Sequence, residues 1–239
     1  MTAADLGPGT LLWRYLGDRR FLFTLPRAVC LQSLHPTIAT GITQHALLHR
    51  RVWLHHKRTV TQAIRIAHTN VDMRPYIRFA HEDVKGRDPA GNKYHALNPD
   101  VFHFQHATYV ESLVMMVNTF IRKLDDDEHE QLYQECCAWY RRYGISTRPM
   151  PASWSEFGEY FENACRTQLS AGEHFEPFRR QMFAPTDWWP RAVPHRAIRA
   201  MQHPRAAELT GTVVSARDRR SLRRFAAVNR VLPTGRVLS

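Results

Sequence analysis

The chain has 239 residues, 44% of them hydrophobic and 11% aromatic, and a formal net charge of +11. That length supports one large domain or two small ones with a sizeable core, and the composition excludes a disordered or low-complexity chain. The cysteines, Cys30, Cys136, Cys137 and Cys165, form no C-x-x-C pair, so neither a zinc site nor a disulfide framework is suggested and a reducing compartment fits.

The charge is uneven. Residues 1–175 carry 20 Lys/Arg against 18 Asp/Glu, whereas residues 176–239 carry 13 Arg against 4 Asp/Glu. The basicity belongs to the tail and says little about what the body binds. The N-terminus lacks signal-peptide order, and no run approaches the roughly 18 uninterrupted apolar residues of a membrane span. The most apolar stretch, 110–121, is broken by Glu111, Ser112, Asn118 and Thr119. A soluble or peripheral cytoplasmic protein is expected. Glycine is sparse and strand-like alternation rare, so helix is favoured throughout.

In chain order, residues 1–18 predict a short helix carrying Leu11, Leu12, Tyr15 and Leu16. A second helix is predicted to begin near Pro26, which suits a first helical position, and to break at His35-Pro36. Pro36 opens a third, running to about residue 48. Residues 52–69 read as a fourth, with Leu54, Thr61, Ile64 and Ala67 inward. His55, His56, Lys57 and Arg58 crowd one turn of it, and a solvated basic face suits most of the four. Residues 72–85 predict a fifth helix with Asp72 as N-cap and Gly86 as its terminal glycine. One face of it, Ile77, Ala80, His81 and Val84, is apolar except for a single imidazole. Such an imidazole is a proton carrier, a metal or haem ligand, or a core histidine with a hydrogen-bond partner.

Residues 86–97 are turn-rich, with room for a small hairpin at 90–92. Asn98, Pro99 and Asp100 are a strong helix start, and residues 100–124 predict the central buried helix, with His106 on its apolar stripe and Thr108 two positions on. Asp125 to Glu128 open another helix, which stops at Gly144. Ser153 to Glu156 read as a capping box for a helix ending near residue 169. Residues 187–190 read as a loop with two tryptophans. Ser215 to Asp218 form a second capping box before an Arg-rich helix to Val231.

No G-x-G-x-x-G, P-loop or G-x-S-x-G occurs, so nucleotide and acyl-transfer chemistry have no motif. The tail has no helix-turn-helix, zinc or aromatic-basic pattern for nucleic acid. Histidines set in apolar helices without carboxylates suit a haem better than a bare hard cation. Three segments show the pattern: Leu34-His35-Pro36 with His45; His81 with Val84 and Gly86; and His106-Ala107-Thr108.

Those segments, with Arg58-Thr59, His81-Glu82-Asp83-Val84-Lys85-Gly86 and Tyr94-His95-Ala96-Leu97-Asn98-Pro99, make the chain resemble the MpaB-type oxygenases, which include the rubber oxygenase called latex clearing protein. The match covers roughly residues 10–170. It implies an all-α fold, a single helical domain with a globin-like core of about eight or more helices. It implies one haem b with iron held by His81, and an oxygenase that cleaves carbon–carbon double bonds of isoprenoid or lipid-like substrates with O2. Thr59 and Thr108 match family pocket positions, and His106, Arg58 and His35 fall beside the cofactor. The family's arginine four residues before Thr59 is here His55, while Arg51 and Arg58 read as facing elsewhere on the helix. His55 therefore either joins the pocket or becomes a second axial ligand, which would make the protein a non-catalytic haem or lipid carrier.

Two further expectations follow. Residues 1–175 form the haem-bearing part and residues 176–239 a basic extension. The helix over 215–231, with Leu222, Phe225, Ala226 and Val231 set against its arginines, rests on an anionic membrane surface and inserts its apolar face shallowly.

Overall fold

The computed structural model describes residues 6–45, 51–88, 91–185, 187, 190–232 and 235–237. They form one helical domain. In chain order the helices are α1 (Leu11–Leu16), α2 (Phe21–Leu34), α3 (Pro36–His45), α4 (Val52–Ala67) and α5 (Arg74–His81). A two-stranded antiparallel hairpin follows, β1 (Lys85–Arg87) against β2 (Lys93–His95), with Gly86 opposite Tyr94. Then come α6 (Pro99–Phe120), α7 (Asp126–Arg141), α8 (Trp154–Gln168), α9 (Glu176–Phe183), α10 (His195–Ala200), α11 (Pro204–Thr210) and α12 (Ala216–Val231). The loop predicted around Trp188 and Trp189 and the end of the third predicted helix lie outside the described residues.

The core is built on α2 against α6, the most extensive helix pair. Twelve of the fourteen α2 residues are buried, as are fourteen of the 22 in α6, so both helices are apolar nearly all round. The start signals of α6 work as predicted: Asn98 accepts from the Asp100 N–H at 3.0 Å, and Pro99 takes the first position. Asp125 and Glu128 close a capping box on α7, and Gly144 follows it at φ +71°, a left-handed conformation that suits glycine.

Four side chains tie distant elements by filling carbonyl or N–H groups that helix ends leave unpaired. The Glu135 carboxylate, buried in α7, accepts from the Leu12 N–H at 2.6 Å and so caps α1. Arg142 donates to the carbonyls of Ile66, Ala67 and Thr69 at the end of α4. Arg20 joins the start of α2 to the end of α6 and to α12 through the carbonyls of Phe120 and Asn229. Arg27 of α2 grips both oxygens of Glu111 on α6 at 2.7 Å and the Met201 carbonyl at the end of α10.

Several sequence-based expectations need correction. The second helix begins at Phe21, and Pro26 lies inside it. The carbonyls of Asp18, Arg19 and Arg20 accept from the first three amides at 3.0–3.1 Å, and Phe21 and Leu25 are fully buried. That burial outweighs the single backbone bond that Pro26 omits. The fifth helix ends at His81, four residues early, because the hairpin claims the backbone beyond it: the Val84 carbonyl accepts from Ala96 at 2.9 Å. Asp72 is not its N-cap; Met73 holds that position. Gly86 is a strand residue whose missing side chain lets the Tyr94 hydroxyl and Gln44 approach, since a Cβ there would lie 3.1 and 3.2 Å from them.

The tail helix α12 docks on α10 and α6. Phe225 packs on Phe23 and Phe120 with ring centroids 5.1 and 5.7 Å away, and Ala226 is buried. Of the four residues expected to insert into a membrane, Leu222, Phe225 and Ala226 are thus turned into the protein, while Val231 at the end of α12 is exposed. The capping box at Ser215 and Asp218 is present, and Asp218 also pairs with Arg199 of α10 at 2.7 Å.

Candidate functional site

The arginine and histidine face of α4 and the apolar face of α5 meet over a cavity of about 770 Å³. Its wall takes His55, Arg58, Thr59, Gln62, Arg65 and Ile66 from α4, positions three and four apart that recur on one helical face. From α5 come Ile77, Ala80 and His81, and from α6 Phe102, Gln105, His106 and Tyr109. A second cavity of about 200 Å³ shares His55, Thr59, Ala80, His81 and Gln105 with the first and runs on to Ile38, Gly41, Val84 and Tyr94.

The helix α5 has no buried residue. Its apolar face, legible in the sequence, borders the cavity, with His81 edge-on to Phe102 of α6. An apolar face survives on a surface helix where something else covers it.

The His81 ring is fixed by its own helix. Its Nδ1 lies 2.8 Å from the Ile77 carbonyl, which only accepts, so Nδ1 carries the proton and Nε2 holds the lone pair. Nε2 has no hydrogen-bond partner among the described residues, and Phe102 stands edge-on at 5.5 Å. Burial lowers the pKa of both His81 and His55, and the nearness of His81 lowers that of His55 further. Two neutral imidazoles thus border the same space. Thr59 donates its hydroxyl proton to the His55 carbonyl at 3.1 Å, leaving its oxygen as an acceptor.

His106 is buried among Trp139, Tyr140 and Tyr143, with ring centroids 4.6, 5.1 and 5.5 Å away, and burial drives its pKa well below the ordinary value. Its Nδ1, on the cavity wall, has no partner in hydrogen-bond geometry, while the buried Tyr109 hydroxyl lies beside the Gln32 and Gln105 side chains. Buried polar atoms without partners are rare in native proteins. Arg58 and Arg65, one helical face of α4, are exposed at the cavity and form no ion pair among the described residues.

Of the residues singled out in the sequence, the fold brings together His55, Arg58, Thr59, His81 and His106. Arg58, read as facing away from His55, lies on the same face: three residues along a helix is a rotation of only about 60°. Thr108 and His35 are elsewhere. Thr108 accepts from Gln32 and donates to the Gln105 carbonyl, both at 2.7 Å, in the α2–α6 contact. Two positions past His106 puts it on nearly the opposite side of α6. His35 lies against Phe104, ring centroids 5.2 Å apart, with Gln168 nearby. His56, assigned to a solvated face, is 2% exposed. Gln62, Arg65, Gln105, Tyr109 and Tyr143 were not singled out. The α4 pair was readable by continuing the His55 face by one and two turns.

Burial of neutral histidines makes this protein acid-sensitive. Desolvation lowers both His35 and His103 to about 4 from 6.5. On unfolding, each imidazole regains its ordinary pKa, so between pH 6.5 and about 4 the unfolded chain binds more protons than the folded one. Stability is complete above pH 6.5 and falls across that window, by about 3 kcal/mol for each of the two. Urea denaturation at neutral and mildly acid pH reads the loss. The variant His35→Gln/His103→Gln should show a shallower pH dependence; an unchanged one refutes the assignment.

Among the described residues, no three His, Cys, Asp or Glu side chains gather as a metal site, and no helix is long and apolar enough to cross a membrane. Comparisons with curated proteins and with solved structures returned no significant match. Residues 13–231 match the family model described as "ER-bound oxygenase mpaB/B'/Rubber oxygenase, catalytic domain". With the match running from α1 to the end of α12 and embracing every residue of both cavities, this chain belongs to the MpaB/rubber oxygenase family.

Proposed function

We propose that the protein is a haem b-dependent oxygenase that acts on an apolar, isoprenoid or lipid-like substrate with O2, by oxidative cleavage of a carbon–carbon double bond. The observation that carries the reading is His81. It is a neutral imidazole with its Nδ1 proton tied to the Ile77 carbonyl and its Nε2 lone pair unpartnered, on a helix whose apolar face looks into a cavity of about 770 Å³. That volume lies within the range of about 300–1,000 Å³ typical of cofactor sites. The residues present fit a haem. His81 Nε2 would bind the iron, and the backbone bond on its other nitrogen sets the tautomer, as ligating histidines require. The unpaired Arg58 and Arg65 would take the two propionates. Ile66, Ile77, Phe102 and the ring of Tyr109 supply the apolar walls.

A bound haem supplies the iron at which oxygen chemistry takes place. The chain's own contribution is to hold the site dry and to place neutral donors and acceptors in it. Thr59 offers an acceptor oxygen and Gln105 an amide on the wall between the two cavities. His55, unable to hold a proton firmly, offers a neutral ring where a cation would stabilise developing negative charge more strongly. The haem-bearing part, residues 1–175, with a basic extension over 176–239, belongs to the same proposal, as does contact with an anionic membrane surface.

One observation favours a second reading. The His55 ring has no hydrogen-bond partner among the described residues and shares the cavity wall with His81. If it closes the sixth iron position, the protein is a haem carrier that binds no oxygen. The test is the visible spectrum of protein purified from iron-replete cells, with a pyridine haemochrome assay. A Soret band that shifts with O2 or CO in the reduced protein supports the oxygenase. A spectrum indifferent to both gases, converted to a responsive one by His55→Ala, supports the carrier. A colourless protein that takes up no haem refutes both.

A further inference from the structure

The main cavity opens through a lip of large apolar side chains. Phe79 is 87% exposed, Val71 65% and Tyr76 64%, and all three line the cavity. They lie on or just before α5, and they are three of only seven large hydrophobic residues so exposed among the described residues. Exposed aromatics are costly to leave in water and mark contact surfaces. Around them the charge is strongly positive. Residues 51–87 hold eight Lys/Arg against three Asp/Glu, and Arg78 of α5, which the cofactor reading leaves unengaged, forms no ion pair among the described residues.

We propose that this lip, and not the tail helix, docks the protein on an anionic bilayer, so that an apolar substrate dissolved in the lipid passes directly into the cavity. Aromatic side chains ringed by cations are the arrangement that a membrane interface accepts. The rings sit at the headgroup level while the arginines meet anionic phosphates. A soluble partner of matching shape would also cover apolar area. The open cavity between the rings instead favours a fluid surface that leaves the mouth clear and carries the substrate. The rival surface at the end of α12 exposes Val228, Val231 and Leu232 beside its arginines, but it offers no aromatic ring, since Phe225 is turned into the protein, and no substrate cavity bordered by apolar side chains of α5. The delivery role rests on the oxygenase reading; the docking does not.

The experiment is co-sedimentation of the full chain with vesicles of phosphatidylcholine alone and with added phosphatidylglycerol. Haem content is assayed in parallel, so that failure of the cofactor reading is seen separately. Three proteins are compared: wild type, Tyr76→Ser/Phe79→Ser, and Arg217→Gln/Arg220→Gln/Arg224→Gln. The expected result is preferential binding of wild type to the anionic vesicles. Binding should be weakened about tenfold or more in the aromatic variant and less in the tail variant. Circular dichroism checks that each variant is folded. Binding abolished in the tail variant but intact in the aromatic one overturns the proposal. So does the absence of vesicle binding by wild type. Self-association in solution that Phe79→Ser removes would assign the lip to a second copy of the chain and overturn it equally.

Discussion

His81→Ala is expected to yield a folded protein without a Soret band, its haem content reduced more than about tenfold. The substitution isolates ligation from stability. No residue of α5 is buried, alanine favours helix, and among the described residues the only hydrogen bond the ring loses is that to the Ile77 carbonyl. His106→Ala makes the opposite combination. That ring is 4% exposed and wedged among Trp139, Tyr140 and Tyr143, so its removal opens a cavity in the core and costs about 2–4 kcal/mol. Haem should nevertheless remain. The comparison is read in one pair of measurements, a pyridine haemochrome assay and a urea denaturation curve. Retention of the Soret band in His81→Ala with its loss in His106→Ala would reverse the assignment.

Arg27→Ala is expected to cost stability through a lost buried ion pair. The Arg27 side chain is 10% exposed and holds three elements at once: its guanidinium donates to both oxygens of Glu111 on α6 and to the Met201 carbonyl at the end of α10. Removing it leaves a carboxylate and a carbonyl short of donors where water has little access. Breaking a buried ion pair costs about 3–5 kcal/mol, and the partial exposure of Glu111, 20%, places this one near the lower figure. For a domain of this size, about 3 kcal/mol corresponds to a fall in melting temperature of roughly 6–12 °C. Arg27→Met/Glu111→Leu, which removes both charges and keeps the volume apolar, should recover most of the loss. A double variant as unstable as Arg27→Ala would show that the Met201 carbonyl contact, or packing of the arginine stem, carries the effect instead. Thermal and urea unfolding of the three proteins decide it.

The elements whose ends are marked by local chemistry were legible from the residues alone. Asn98-Pro99-Asp100, Asp125 with Glu128, and Ser215 with Asp218 each satisfy helix N–H groups within four residues, and each marks the helix start observed. The boundaries set by distant partners were not legible. α2 begins at Phe21 because that ring is buried against the rest of the fold, and α5 ends at His81 because a hairpin partner takes the backbone beyond it. The three helices α9, α10 and α11 also went unread.

An all-α protein, its central buried helix, a lone imidazole on an apolar face and the family to which the chain belongs were all readable from the residues. All of these rest on residue spacing along a single segment, or on the ordered set of such segments. Which face met what was decided only by the tertiary structure. The apolar side of α5 faces a cavity, that of α12 faces Phe23 and Phe120, and Thr108 turns to Gln32 while His106 two positions earlier borders the site. Periodicity reports that a helix has an apolar side, because 3.6 residues per turn place like with like. It does not report the partner, because burial against protein, cofactor or lipid demands the same apolar pattern. Only the packing of α4 and α6 beneath α5, leaving room for a cofactor and an exposed aromatic lip, separates those cases.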